Sequence, residues 1–247
     1  MSRAVIRAGA TSPAQWAAFL FASLGVMVFA LPGAAQANVT IKRDPPTVEY
    51  KIFDPADPPA DMPRLNQGES AVTYTVFGCA ANARYSVIDR KAAAGQKVAT
   101  IELSGLQLTL RLQVVIYLPK NAPEKLKAHE EGHRRIAEQV YRERAETAAR
   151  EVAADADHRK YEGEGGTAAA ATKAAVQSAI NPVAGGYLKL TADVSARVGE
   201  IYDDITAHGT NKIPEDEAIK KAFEQYEKEQ AEKTSPATTR PAEEGKK

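Results

Sequence analysis

The strongest constraint on the fold is a run of apolar residues at every second position between Leu106 and Leu118. Alternation over this length predicts a half-buried strand, or a hairpin pair of strands, with one face on a core. Pro119 ends the run. The alternating residues are Leu106, Leu108, Leu110, Leu112, Val114, Ile116 and Leu118.

The chain that precedes this run also has the character of strands and turns. Apolar and polar residues alternate within 48–52, 72–76 and 99–103, and six prolines fall within residues 44–63. Prolines at this density exclude a helix and favour extended or looping chain. We therefore expect residues 38 to about 119 to form a small antiparallel sheet.

After Lys120 the apolar residues recur with the period of a helix. A first long helix is predicted to reach about Ala154 and to be broken by the glycines of residues 163–166. Three further helices are predicted over residues 168–180, 188–208 and 214–229. The predicted fold class is α+β, with a sheet part at about 38–119 and a helical part at about 121–231 in one domain. Residues 232–247 are predicted to be a disordered tail because they are rich in Pro, Thr, Glu and Lys.

The first 37 residues have the order of a secretory signal peptide. Arg3 and Arg7 precede an uncharged apolar run over residues 16–31, and Ala35-Gln36-Ala37 is a small-x-small cleavage site. The apolar run is shorter than the roughly 20 residues that span a bilayer. We expect export to the periplasm or the extracellular medium with no stable membrane anchor after cleavage; a retained anchor is the alternative.

Charge and cysteine content limit the partners and the means of stabilisation. The chain has 32 basic and 32 acidic residues, so removal of Arg3 and Arg7 leaves an acidic excess of two. This balance argues against a nucleic-acid partner, because proteins that bind nucleic acids normally carry a marked basic excess. The single cysteine, Cys79, excludes an intrachain disulfide, and it is either a buried apolar group or a free thiol that pairs between chains. The sequence does not specify an oligomeric state.

The residues that carry chemistry form an HExxH motif, His129-Glu130-Glu131-Gly132-His133, inside the first predicted helix. Residues four apart on a helix share one face, so His129 and His133 can bind one metal ion. Glu130, about 100° round the helix, can reach a water on that metal and act as general base. The alternative is two buried histidines without a metal. Each imidazole ring would then need hydrogen-bond partners of its own.

A catalytic zinc has three protein ligands and a water, so the motif needs a third ligand from elsewhere. The metzincin subclass is excluded, because the positions for its glycine and third histidine hold Ile136 and Gln139. His158 is predicted to be a surface residue, because it lies more than about 30 Å along the chain if the helix continues. His208 is the best candidate for the third ligand. The alternative role for His208 is to cap the C-terminal end of a helix.

A second motif carries a family resemblance. Residues 202–209 read YDxxTxHG and follow both the HExxH motif and a strand that ends at Leu118-Pro119. Over residues 70–215 the chain thereby resembles a bacterial family of secreted, predicted zinc-dependent proteases. The resemblance implies His208 as the third zinc ligand, Asp203 as a hydrogen-bond acceptor for a ligand imidazole, and Tyr202 as a donor to the oxyanion. Other carboxylates that can serve as the third ligand are Glu200, Asp203 and Asp204.

The main hypothesis is an exported zinc metallopeptidase that acts on a protein or peptide substrate. An edge strand within residues 106–118 is expected to bind the substrate in extended form. The rival hypothesis is a non-catalytic envelope module with a structural or vestigial metal site, supported by the alanine-rich, charged helical half. A structural zinc has four protein ligands, whereas a catalytic zinc keeps a water.

Overall fold

A mixed β-sheet and three helices make up the part of the chain that the computed structural model describes, residues 5–6, 38–65, 69–93, 95–156 and 159–234. The α+β class is therefore confirmed. The elements are β1 (Val5–Ile6), β2 (Val39–Arg43), β3 (Thr47–Phe53), β4 (Val72–Ala93), β5 (Gln96–Pro119), α1 (Glu124–Ala156), β6 (Lys160–Gly165), α2 (Ala168–Thr206) and α3 (Glu215–Thr234).

Three of the predictions fall on residues that the structure does not describe. Apart from β1, the predicted signal peptide lies outside the described residues, and so does His158. The predicted tail begins inside α3, which continues to Thr234, and residues 235–247 lie outside the described part.

Strand β5 is the centre of the sheet. One edge pairs antiparallel with β4 along nearly its whole length, in a long hairpin that turns at Gly95. The other edge is covered in succession by β6, which runs antiparallel, and by β2 and β3, which run parallel. The prediction of an antiparallel sheet is therefore wrong, because the alternation of apolar residues specifies which face is buried but not the direction of the neighbouring strand.

The pairing of β5 also corrects the expected substrate-binding edge. Residues 106–110 and 113–118 pair on both sides, with β4 on one edge and with β2 or β3 on the other. In the described part of the chain, this stretch therefore has no open edge long enough to add a further strand. Among the described strands, β3 pairs only with β5, so its outer edge is open in the described part of the chain.

The helical half differs from the prediction in two places. Residues 160–165 are a strand, β6, rather than a simple break; a Cβ at Gly163 would lie 2.0 Å from the Ala175 backbone nitrogen, so the glycine permits close packing against α2. The two helices predicted over residues 168–180 and 188–208 are one helix, α2, which continues through Pro182. Burial of one face of α2 outweighs these local break signals.

Helices α1 and α2 pack against each other and on the sheet, with the start of α1 beside the end of α2. Their contact contains buried residues from both helices and from β5, including Ile136, Val140, Val198, Ile201 and Leu112. This arrangement places the HExxH motif next to residues 202–209. Within the described residues, no helix has both the length and the apolar character needed to cross a membrane.

Candidate metal centre

Two histidines from α1 and one carboxylate from α2 meet in the interior. Nε2 of His129 lies 3.1 Å from Oδ1 of Asp203, and Nε2 of His133 lies 2.9 Å from the same oxygen. The three residues are 0%, 2% and 4% exposed. One ligand atom from each lies within 4.8 Å of the others, so the three form a possible metal-binding group.

The hydrogen bonds around His129 indicate which of its nitrogens carries the proton. The Thr206 hydroxyl donates to the Tyr202 carbonyl at 2.7 Å, so its oxygen can accept from Nδ1 of His129, 3.4 Å away. With the proton on Nδ1, the lone pair of Nε2 points toward the Asp203 oxygen. Two acceptors 3.1 Å apart repel each other unless a cation lies between them.

The geometry fits such a cation. Among the described residues, Nε2 of His129 has no hydrogen-bond partner although it is fully buried. Ligand atoms about 2.0–2.1 Å from a tetrahedral zinc lie about 3.3 Å from one another. The two nitrogen-to-oxygen distances are slightly shorter than this, so a small outward movement of the side chains admits the ion.

The charges in the centre also favour a cation. Burial by itself lowers the pKa of His133, but the Asp203 charge and hydrogen bond, together with the charges of Glu130 and Glu69, outweigh it and raise the pKa. Burial by itself raises the pKa of Asp203, but the charge of His133 and the hydrogen bond from its imidazole outweigh burial and lower the pKa below the ordinary value. A positive charge between these groups is stabilised, and a proton or a metal ion can supply it.

Glu130 is buried beside this centre and is held by the sheet. The Thr73 hydroxyl on β4 donates to Oε2 of Glu130 at 2.7 Å and lies 3.1 Å from its carbonyl oxygen. Oε1 of Glu130 has no hydrogen-bond partner among the described residues. One carboxylate oxygen is therefore fixed and the other is available to a water molecule.

Tyr202 and two glycines shape the walls of the centre. The Tyr202 ring stacks on His129 with centroids 5.0 Å apart and an interplanar angle of 13°. A Cβ at Gly132 would lie 2.1 Å from the Tyr202 hydroxyl oxygen, and a Cβ at Gly209 would lie 2.9 Å from Cγ of His129. Only glycine at these positions lets the tyrosine and the backbone approach so closely. The Tyr202 hydroxyl lies 3.4 Å from the His129 carbonyl, and its role as an oxyanion donor stays a prediction.

His208 lies at the border of the centre. Its Nδ1 is 3.9 Å from Oδ1 of Asp203, and its side chain is 35% exposed. The chain leaves α2 through three successive residues of positive φ, Ala207, His208 and Gly209, and the His208 N–H donates to the Asp203 carbonyl at 2.8 Å. Left-handed backbone at non-glycine residues is strained and often occurs at functional sites. The prediction that His208 is a ligand stays a prediction.

The structure brings together every residue predicted for the site, His129, Glu130, His133, Tyr202, Asp203 and His208. It adds four that the prediction gave no role, Thr73, Gly132, Thr206 and Gly209. Three of these belong to the two motifs, so their positions were visible in the sequence. Nothing in the sequence predicted the role of Thr73, because its contact with Glu130 depends on how β4 packs against α1.

The chain matches no protein-family model, no curated protein and no solved structure. The resemblance to secreted zinc-dependent proteases therefore rests on the two motifs, and the structure supports a possible buried His-His-Asp metal site.

Proposed function

We propose that this protein is an exported zinc-dependent metallopeptidase. The observation that carries the proposal is the convergence of His129, His133 and Asp203 beside a buried Glu130 with one unpartnered oxygen. Imidazole and carboxylate ligands suit zinc. Zinc bound there would lower the pKa of a coordinated water toward about 7 and polarise the carbonyl group of the substrate.

Glu130 is the general base in this proposal. Its Oε1 accepts a proton from the attacking water, and the carboxylic acid then gives that proton to the leaving amine. Thr73 holds Oε2, so the carboxylate cannot turn away from the reacting atoms. Tyr202 and Gly209 fix the His129 ring by packing on it, and Thr206 fixes its tautomer.

Asp203 is the third ligand that the geometry favours. Its Oδ1 already lies between the two Nε2 atoms, whereas His208 approaches the same oxygen from the solvent side at 3.9 Å. A set of two imidazoles and one carboxylate leaves the fourth position for water, as in catalytic zinc sites.

The second candidate function follows from the same position of His208. If His208 also binds the metal, the ion has four protein ligands and the site is closed. A closed and buried site is structural, and the protein is then a non-catalytic envelope module. The nearness of His208 to Asp203 is the observation that favours this alternative.

Location and partners follow from the sequence. We propose export to the periplasm or the extracellular medium, with a protein or peptide as substrate and no nucleic acid as partner. The signal-peptide pattern of residues 1–37 and the even charge balance support these assignments.

Metal content separates the two functions. We expect mass spectrometry of the purified protein to find about one zinc per chain, and Asp203→Asn to weaken zinc binding by at least about a hundredfold, because it removes a ligand charge. With Asp203 as the third ligand, an open site keeps its zinc in His208→Ala, whereas a closed site loses zinc and stability together. Absence of zinc even after reconstitution would rule out the metallopeptidase and favour the envelope module with a vestigial site.

Peptide cleavage tests the role of Glu130. We expect Glu130→Gln to keep its zinc and to lose turnover by a factor of about 10²–10⁴, the usual contribution of a general base. The matched control is Glu131→Gln, one residue along α1, which changes charge without touching the centre. Equal cleavage by Glu130→Gln and the unmodified protein would rule out the mechanism.

A further inference from the structure

Strand β3 has an outer edge with unpaired backbone groups. The Phe53 carbonyl accepts a hydrogen bond from the Lys120 N–H at 2.8 Å, so the backbone groups of Phe53 face β5. In a parallel pair, the N–H and C=O groups of one residue face the neighbouring strand and those of the next residue face the opposite side. The N–H and C=O groups of Val48, Tyr50 and Ile52 therefore face outward, where no described strand pairs with them.

The same three residues form an exposed apolar stripe. Val48, Tyr50 and Ile52 are 37%, 52% and 61% exposed. β3 contains no proline, the residue that often protects an edge strand from pairing. An open edge with an apolar stripe is suited to the addition of another strand.

We propose that a second copy of this chain covers this edge. The two β3 strands would run antiparallel about a twofold axis at Tyr50, the middle residue of Thr47–Phe53. Tyr50 then lies opposite Tyr50 of the other copy, and Val48 lies opposite Ile52. All three residues have outward backbone groups, so they form the hydrogen-bonded pairs of an antiparallel ladder. The two apolar stripes cover each other on one face.

Charge complementarity selects this register. On the opposite face, Glu49 of one copy lies across from Lys51 of the other, and the symmetry repeats the pair. An axis moved to Glu49 or to Lys51 would place like charges opposite each other. Lys51 also binds Asp61 at 2.5 Å and lies 3.8 Å from Glu49 of its own chain, so the pairs across the axis mainly fix the register.

A contact with α1 holds the central residue of the interface. The Tyr50 hydroxyl donates to Oε1 of Glu131, which in turn receives the Arg134 guanidinium on its other oxygen. This bond keeps the tyrosine ring on the face of the stripe, where its counterpart meets it. The interface is separate from the buried metal centre, so the proposal does not depend on the proposed function.

Sedimentation equilibrium of the purified protein tests the proposal. We expect a dimer, and we expect Glu49→Lys to weaken it at least about tenfold, because the introduced lysine of each copy would then face Lys51 of the other. Adding Lys51→Glu to that variant restores opposite charges and should restore the dimer. Ile52→Lys should abolish the dimer, whereas Ile88→Lys, at a similarly exposed apolar residue of β4, should leave it unchanged.

Three results would overturn the proposal. The first is that the protein stays monomeric at all concentrations. This result would overturn the proposal even if the β3 edge binds a peptide substrate instead. The second is a dimer that Ile52→Lys leaves intact. The third is a double charge reversal that stays as weak as Glu49→Lys while its circular dichroism shows a native fold.

Discussion

The α1–α2 contact is polar at one end and apolar at the other. Where α1 begins and α2 ends, the contact buries His129, His133 and Asp203. Farther along, both helices bury alanines instead, with Gly186 placed against Val152. The buried alanines of α1 include Ala145, Ala149 and Ala153, whereas Ala171 and Ala175 near the start of α2 pack against β6.

The difference shows what burial does to an ionisable group with and without partners. Along the apolar part, desolvation raises the pKa of Tyr187 on α2 and raises that of Cys79 on β4 to about 11, so both groups stay neutral. At the polar end, two imidazoles outweigh the desolvation of Asp203 and lower its pKa. Within the described part of the chain, the buried ionisable groups His129, Glu130, His133 and Asp203 lie where the two motifs meet, and Thr73 of β4 binds Glu130 there.

The largest expected effect comes from filling the space at Gly132. We expect Gly132→Ala to lower the free energy of unfolding by about 3 kcal/mol, because the new methyl group overlaps the fully buried Tyr202. Gly185→Ala is the matched control in the apolar part, since no atom lies within 4 Å of its Cβ position. That variant should gain about 0.5–1 kcal/mol from helix propensity. Urea denaturation measures the free energy of unfolding of both variants. Equal changes in the two would contradict the difference between the polar end and the apolar part of the contact.

The next effect is the chemical inertness of Cys79. With a pKa near 11 instead of the ordinary 9.0, the folded protein has roughly a hundredfold less thiolate at pH 8 than an unfolded chain. We therefore expect alkylation by iodoacetamide to be at least that much slower in the native protein and to accelerate as pH rises toward 11. Fast labelling at pH 8 under native conditions would place the thiol outside the apolar layer.

The smallest expected effect concerns the end of α2. Ala207 has a φ of 47° and caps the helix in the left-handed region. We expect Ala207→Gly to stabilise the protein by about 1 kcal/mol, because glycine adopts this conformation without steric strain. Zinc content should stay unchanged, since the Ala207 side chain is not part of the centre. A loss of stability in thermal unfolding would show that the turn is unstrained.

The sequence predicted the local features of the fold correctly where one pattern dominated. Alternation over Leu106–Leu118 predicted the strand that became the centre of the sheet, and the HExxH helix ends at Ala156, two residues from the predicted Ala154. The prediction failed where local signals competed with packing. Pro182 favours a break, but the buried face of α2 keeps the helix continuous.

The two motifs specify the chemistry available to this protein: two imidazoles and a glutamate on one helix, and an aspartate and a histidine in the second motif. Their arrangement depends on packing between distant segments, because the antiparallel contact of α1 and α2 places Asp203 beside the two Nε2 atoms and leaves His208 at the border. Strand pairing likewise leaves β3 with an open outer edge among the described strands, while β5 lies inside the sheet. Spacing along the chain specifies which face a residue occupies, and only contacts between distant segments specify what that face meets.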